Sequence, residues 1–207
     1  MEKEISFFVV EDHTLTNRGI RELIGERKKF ICAGYAFSKT ECFEKLDELL
    51  KSSKLPDIMI LDLFLGEESG LDILREVKKT LPSIKVIIHS MYAKPGIVSL
   101  ALECGAEGFV LKTASEKELF YAIDIILGGE TYVQQTLVAP LFTYKTIFEG
   151  LTKQEQVVLK KIIERKSRLQ IANEMNITER SVDNYLSRIY IKTGCKNHEE
   201  LIKKFGE

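Results

Sequence analysis

Five short apolar runs, each followed by a helical pattern, constrain the fold of this chain most strongly. The runs lie at residues 5–10, 30–36, 57–61, 84–90 and 108–112, and apolar residues recur at helical spacing between them. Strands without polar alternation are typical of a parallel sheet that is covered on both faces. The first part of the chain therefore predicts an α/β fold, a doubly wound five-stranded parallel sheet.

The chain after residue 150 has no strand pattern and predicts a second, all-α domain. Thr152 with Glu155, then Ser167 and Thr178, stand where helix N-caps are expected, each ahead of a helical segment. Cys195–Phe205 predicts a last short helix. The predicted boundaries are 1–128 for the first domain, 129–147 for a linker with a short helix near 136–144, and 148–207 for the helical domain.

Charge, cysteines and hydropathy narrow the class of protein. Residues 151–207 hold twelve Lys and Arg against eight Asp and Glu, whereas residues 1–150 hold 18 against 23. This asymmetry indicates two domains with different partners. The four scattered cysteines indicate reduced thiols. No apolar run approaches the roughly 18 residues of a membrane span, and the N-terminus, MEKEISFFVVED, lacks a signal peptide. We therefore expect a cytoplasmic protein without a membrane segment.

Polar residues stand at the ends of four predicted strands. Glu11 and Asp12 follow the first strand, Asp62 the third, Ser90 ends the fourth and Lys112 the fifth. The carboxyl ends of parallel strands meet at one edge of the sheet, so these side chains are expected to lie together. Carboxylate oxygens suit Mg²⁺, and an aspartate can accept a phosphoryl group. The cluster predicts a Mg²⁺-dependent phosphoacceptor site centred on Asp62.

The quoted segments resemble a known family. VVEDHTLTNRGI, LDLFLGEESGLDIL, VIIHSMY and GAEGFVLK are similar to the signature segments of a response-regulator receiver domain. LTKQEQVVLKKIIERKSRLQIANEMNITERSVDNYLSRIYIKTG resembles a LuxR-type helix-turn-helix. Together they resemble a NarL/FixJ-type two-component response regulator over essentially the whole chain. The resemblance implies a transcription regulator and not an enzyme, with a sensor histidine kinase and double-stranded DNA as partners and a homodimer on activation.

The resemblance also implies a role for each residue of the cluster. It assigns Mg²⁺ binding to four residues: Glu11, Asp12, Asp62 and Phe64, the last through its backbone carbonyl. Asp62 is the implied phosphoacceptor, Ser90 moves to meet the phosphoryl group, and Lys112 pairs with it. Phe109 takes the aromatic switch position, although an ordinary core aromatic is an equally open interpretation of this residue.

Three positions near the phosphoacceptor depart from the family pattern. Gly66 replaces a proline that is usual four residues after Asp62, which makes the loop more flexible. Phe64 and Met91 are bulky and apolar beside the expected phosphoryl site. We hypothesise that they hinder the water that hydrolyses the acyl phosphate and so give a long-lived active state.

The helix after Thr178 is the predicted recognition helix of the helix-turn-helix. Its polar face is expected to enter the major groove with five residues: Arg180, Asp183, Asn184, Ser187 and Arg188. Three cations are expected to contact phosphates: Lys166, Arg168 and Lys192. The family usually has a lysine at position 183 and a histidine at position 185, where this chain has Asp183 and Tyr185. A carboxylate repels phosphates but can accept a hydrogen bond from the cytosine N4 amino group.

Several alternatives remain open at the level of sequence. The C-terminal bundle could act by protein contacts without binding DNA, and Asp183 is the one feature that supports this. A phosphohydrolase would need a second acid two residues after the nucleophile, where Phe64 stands. A regulator controlled by a small ligand is less consistent with the full acidic set. Phosphorylation could either release the recognition helix or drive dimerisation.

Overall fold

A computed structural model describes residues 4–206 of the chain. Residues 1–3 and 207, at the outer ends of the two predicted domains, lie outside this range. The chain divides into two compact units. Among the described residues, the first comprises 4–91 and 101–134, and the second comprises 92–100 and 135–206.

Six parallel strands form one sheet in the first unit, in the order β2-β1-β3-β6-β7-β8. The bounds are β1 Ile5–Val10, β2 Phe30–Ala36, β3 Ile58–Leu61, β6 Lys85–Ser90, β7 Gly108–Leu111 and β8 Tyr132–Val133. Two short antiparallel strands, β4 Phe64–Leu65 and β5 Glu68–Ser69, form a separate hairpin. The five predicted strands and their parallel arrangement are confirmed. The two-residue strand β8 adds a sixth, which the sequence pattern did not predict.

Helices alternate with the strands, as the periodicity predicts. Their bounds are α1 Thr14–Gly25, α2 Lys39–Lys51, α3 Gly70–Thr80, α4 Pro95–Glu103 and α5 Glu116–Leu127. The central strands are buried on both faces, because β1, β3 and β6 lie between layers of helix. One core cluster joins Phe7 and Ile60 of the sheet to Ile24 of α1 and Ile123 of α5.

The second unit contains helices only within its described residues. They are residues 95–100 of α4, then α6 Gln135–Glu149, α7 Lys153–Ile163, α8 Arg168–Met175, α9 Glu179–Thr193, α10 His198–Leu201 and a π-helical turn Ile202–Gly206. Thr152, Ser167 and Thr178 cap α7, α8 and α9 with their side chains, as predicted. The prediction of a short helix near 136–144 is wrong in length, because α6 begins at Gln135, includes Pro140 and extends to Glu149.

A turn of three residues, 176–178, joins α8 to α9. Asn176 ends α8 in the left-handed conformation with φ of 51°, which asparagine tolerates better than most residues. Val182, Leu186 and Ile189 of α9 are buried, as their helical spacing predicts. No helix of the described residues is both long enough and apolar enough to cross a membrane.

Candidate functional site

The carboxyl ends of four parallel strands position the predicted cluster. Val10 of β1 lies in register with Leu61 of β3, and Leu61 lies in register with Ile88 of β6. Ser90 of β6 lies in register with Leu111 of β7. The residues that follow each of these positions therefore emerge at the same edge, as the sequence predicts.

Lys112 joins the two buried carboxylates of this edge. Its Nζ lies 2.5 Å from Glu11 Oε2 and 2.7 Å from Asp62 Oδ2. Burial alone would lower the pKa of the Lys112 ammonium, but the hydrogen bonds to Asp62 and Glu11 raise it above its ordinary value. Lys112 is therefore charged at neutral pH, and it offsets part of the repulsion between the carboxylates.

Two hydrogen bonds with backbone groups and the close approach of a glycine fix the position of Asp62. Its side chain is buried, and Oδ1 accepts a hydrogen bond from the Phe64 backbone N–H at 3.3 Å. Its own N–H donates to the Val10 carbonyl at 3.0 Å. A Cβ placed on Gly70, the first residue of α3, would lie 2.1 Å from the Asp62 carbonyl oxygen. Only glycine therefore permits α3 to begin so close to Asp62.

Asp12 and His13 form the solvent side of the cluster. Nδ1 of His13 lies 2.8 Å from Asp12 Oδ1 and 3.1 Å from Glu11 Oε1. The two carboxylates, Asp12 first, raise the pKa of the His13 imidazole. The His13 side chain is 71% exposed, so these contacts lie at the protein surface.

Ser90 and Phe109 are both fully buried beside the cluster. Ser90 Oγ has no hydrogen-bond partner among the described residues. The Ser90 carbonyl accepts a hydrogen bond from the Lys112 N–H at 2.9 Å, which fixes the two residues side by side. A buried hydroxyl without a partner is costly, so the site offers an unused donor next to Asp62. The Phe109 ring is turned inward in this structure.

His89 is a buried histidine at the same edge, one residue before Ser90. Its side chain is 8% exposed, and Nδ1 has no hydrogen-bond partner in the part of the chain that the structure describes. Burial and, to a smaller extent, the charge of Lys112 lower the pKa of His89 to about 4, although Asp62 opposes the change. His89 is therefore neutral at physiological pH.

Three supporting residues escaped the sequence analysis. Asn17 of α1 is fully buried, and its amide donates to the carbonyls of Glu11 and Ala36 at 3.0 and 3.2 Å. Gln134 accepts a hydrogen bond from the Leu111 N–H at 2.8 Å. Gly70 is the third. A polar residue on the apolar face of the first helical pattern was the one signal that could have identified Asn17.

The donor set fits a hard divalent cation. Glu11, Asp12 and Asp62 supply carboxylate oxygens, and one ammonium does not neutralise three carboxylates. Ligand atoms of Glu11, Asp12 and His13 lie within 4.8 Å of one another. Mg²⁺ prefers a few carboxylates together with waters and phosphate oxygens, which is the chemistry that this edge provides.

The predicted recognition face lies on the exposed side of α9. Arg180, Asn184 and Ser187 are exposed, and Ser187 Oγ donates to the Asp183 carbonyl at 2.9 Å. Asp183 is exposed as well, but its Oδ1 lies 3.2 Å from Arg168 Nε of α8. The structure thus joins one predicted groove residue to one predicted phosphate contact.

Three other predicted DNA contacts are also paired with carboxylates. Lys192 and Arg188 reach the buried Glu155 at 2.7 and 3.4 Å. Burial opposes ionisation of Glu155, but the hydrogen bonds from Lys192 and from Thr152 hold its pKa below the ordinary value. Lys166 lies 2.6 Å from Glu174. Because its ion pair with Glu155 joins α9 to α7, Lys192 has a structural role.

Comparison with known families decides the class of protein. Residues 7–124, more than half of the chain, match the family described as the response regulator receiver domain. The chain belongs to the response regulators. Residues 149–205 of this response regulator match the family described as bacterial regulatory proteins, luxR family. A receiver followed by a LuxR-type domain is the predicted NarL/FixJ arrangement, which is confirmed.

Relatives of this response regulator match it over nearly their whole length. The transcriptional activator protein ExaE of Pseudomonas putida is 27% identical over 206 residues, covering 96% of this chain and 94% of that protein. The transcriptional regulatory protein DesR of Bacillus subtilis is 27% identical over 203 residues, covering 98% and 97%. RcsB of Salmonella enterica serovar Typhimurium has the same fold, with a TM-score of 0.71, 22% identity and 98% coverage of both chains.

Proposed function

We propose that this response regulator accepts a phosphoryl group on Asp62 from a sensor histidine kinase and thereby controls the binding of its LuxR-type domain to DNA. The observation that carries the proposal is the arrangement around Asp62. Lys112 donates to Asp62 at 2.7 Å, and its ammonium also forms an ion pair with Glu11. The buried Ser90 hydroxyl has no partner among the described residues.

The residues of the site have distinct roles in phosphoryl transfer. A carboxylate oxygen of Asp62 forms a bond to phosphorus while the bond from phosphorus to the kinase histidine nitrogen breaks, and the electron pair stays with that nitrogen. Lys112 is positioned to pair with the added negative charge. Ser90 supplies a hydroxyl that can donate to a phosphoryl oxygen, which removes the cost of its unsatisfied group.

Glu11, Asp12, Asp62 and the Phe64 carbonyl are the proposed Mg²⁺ ligands. When bound, Mg²⁺ neutralises charge on the carboxylates and on the transferred phosphoryl oxygens. Since the Lys112 ammonium is shared between two buried carboxylates, a further cation at this edge is favourable. We expect phosphorylation of the response regulator to require a divalent cation.

DNA binding is the proposed output. The matching luxR-type segment contains the helix-turn-helix, and the exposed face of α9 presents Arg180, Asn184 and Ser187. DevR/DosR of Mycobacterium tuberculosis, 26% identical over 203 residues, is named a DNA-binding transcriptional activator. RcsB structures contain DNA, and one contains two dimers on two DNAs. We infer a cytoplasmic regulator that binds double-stranded DNA as a homodimer when active.

A binding experiment tests this proposal. The full chain selects duplexes from a randomised DNA library, and fluorescence anisotropy then measures affinity with and without acetyl phosphate and Mg²⁺. We expect acetyl phosphate to change the affinity of the wild type and of Asp72→Asn, an exposed acid of α3, but not of Asp62→Asn. If no duplex is enriched even at low salt, the alternative of a protein-interaction bundle replaces DNA binding.

A further inference from the structure

An arginine lies between two residues of the recognition helix. Arg168 is the first residue of α8, and its Nε lies 3.2 Å from Asp183 Oδ1 of α9. Burial raises the pKa of the Tyr190 hydroxyl, and the nearby positive charge of Arg168 opposes that shift. Asp183 and Tyr190 are seven residues apart, so they lie on the same face of α9, two turns from each other. The three side chains form a cluster, Asp183–Arg168–Tyr190, along the flank of α9 that faces α8.

We propose that Asp183 is a positioning residue that holds Arg168 for one DNA backbone phosphate, and that Asp183 does not read a base. The proposal rests on the DNA-binding function proposed above and extends it to the role of individual residues. It explains how a carboxylate can occupy the recognition helix of a DNA-binding protein.

The charge balance of the pair supports this role. An isolated carboxylate beside phosphates is repulsive, but a carboxylate that accepts from a guanidinium is locally neutralised. A guanidinium has five N–H donors, and pairing with one carboxylate leaves donors for a phosphate. The donors of Arg168 are therefore sufficient for Asp183 and a phosphate oxygen together.

The location of the pair also favours a phosphate over a base. Arg168 starts α8, the first helix of the helix-turn-helix, and in this motif the first helix crosses the DNA backbone. Asp183 directs its carboxylate to α8, whereas the side chains of Arg180 and Asn184 are exposed and accessible to base edges.

The pair contributes little to folding, so its removal is a clean test. Both side chains are about half exposed, at 52% for Arg168 and 51% for Asp183. Surface ion pairs of this kind stabilise proteins weakly. We therefore expect Asp183→Asn and Arg168→Gln to fold, which thermal unfolding by circular dichroism verifies.

The experiment measures affinity and base preference separately. The full chain, treated with acetyl phosphate and Mg²⁺, selects duplexes from a randomised library, and anisotropy gives affinities over a series of salt concentrations. Glu199→Gln is the matched control, because it removes one negative charge from the same domain at an exposed residue of α10. Asp183→Glu is the conservative variant that can still reach Arg168.

We expect Asp183→Asn to bind the selected duplex about fivefold more weakly than Glu199→Gln does. The reason is that Arg168, no longer held by Asp183, loses side-chain freedom when it binds a phosphate. Its base preferences should equal those of the wild type, and Asp183→Glu should restore the affinity. Arg168→Gln should reduce the slope of log affinity against log salt by about one. In the Arg168→Gln background, Asp183→Asn should no longer weaken binding.

Two results would overturn the inference and leave DNA binding intact. A relaxed preference at one base pair in Asp183→Asn would show that Asp183 reads a base directly. Equal affinities of Asp183→Asn and Glu199→Gln would show that the carboxylate positions nothing. Failure of the wild type to enrich any duplex would instead refute the proposed function, and the inference with it.

Discussion

His89 predicts a specific loss of stability of the first unit in mild acid. The imidazole is 8% exposed at the edge that holds Asp62 and Lys112, and Nδ1 has no partner among the described residues. Its pKa falls from 6.5 to about 4, first because of burial and then because of the Lys112 charge. The folded state therefore binds a proton more weakly at His89 than the unfolded state does.

The sign and size of the effect follow from this difference. A histidine with a lowered pKa contributes its full stability above pH 6.5, and that contribution is lost as the pH falls toward 4. A shift of about 2.5 pKa units, at about 1.36 kcal/mol per unit, corresponds to about 3 kcal/mol. In His89→Leu this part of the pH dependence should disappear. At pH 7 the variant should be at least as stable as the wild type, since it buries no ring nitrogen without a partner.

The measurement must report on the first unit alone. Urea titrations of the full chain between pH 7 and pH 4, in EDTA, are combined with a deuterium pulse, and peptides from β1, β3 and β6 are analysed by mass spectrometry. The difference in unfolding free energy between His89→Leu and wild type cancels the contribution of the other titratable groups. If this difference were the same at pH 7 and pH 4, the assignment of a neutral, buried His89 would be refuted.

Three further predictions follow from individual contacts. Phe64→Asn should speed loss of the phosphoryl group from Asp62, because the half-buried ring next to Asp62 is replaced by a group that can orient water. An unchanged rate of loss, measured by intact mass, would contradict the hypothesis that Phe64 hinders the hydrolytic water. Gly70→Ala should abolish phosphorylation by acetyl phosphate, since its Cβ would lie 2.1 Å from the Asp62 carbonyl oxygen, and normal phosphorylation would contradict that close approach. Glu155→Gln should lower the unfolding temperature of the second unit by several degrees, because Lys192 and Arg188 lose a buried partner. An unchanged calorimetric transition would show that Glu155 is not needed to hold these cations.

The sequence predicts the sheet well because its signal is local. The runs at 5–10 and 30–36 coincide with β1 and β2. Continuous apolar residues and glycine or serine breaks determine these elements without reference to distant contacts. Helix α6 was underestimated because Pro140 and a mixed composition hide its periodicity, and β8 is too short to give a pattern.

The site is predictable where strand ends determine it and unpredictable where a contact depends on tertiary structure. Glu11, Asp62 and Lys112 follow strands whose order the α/β pattern implies, so their convergence could be predicted. The pairing of Arg168 with Asp183 joins different helices, and no spacing rule reveals it. Gly70 likewise looks like an ordinary helix start until the Asp62 backbone is placed against it.

The most direct test of the central claim is intact mass after incubation with acetyl phosphate and Mg²⁺, for wild type, Asp62→Asn and the control Asp72→Asn. Our account predicts one phosphoryl adduct on wild type and on Asp72→Asn, none on Asp62→Asn, and none on any of them in EDTA. An adduct on folded Asp62→Asn equal to that of the wild type, or none on folded wild type, would contradict Asp62 as the phosphoacceptor of this response regulator.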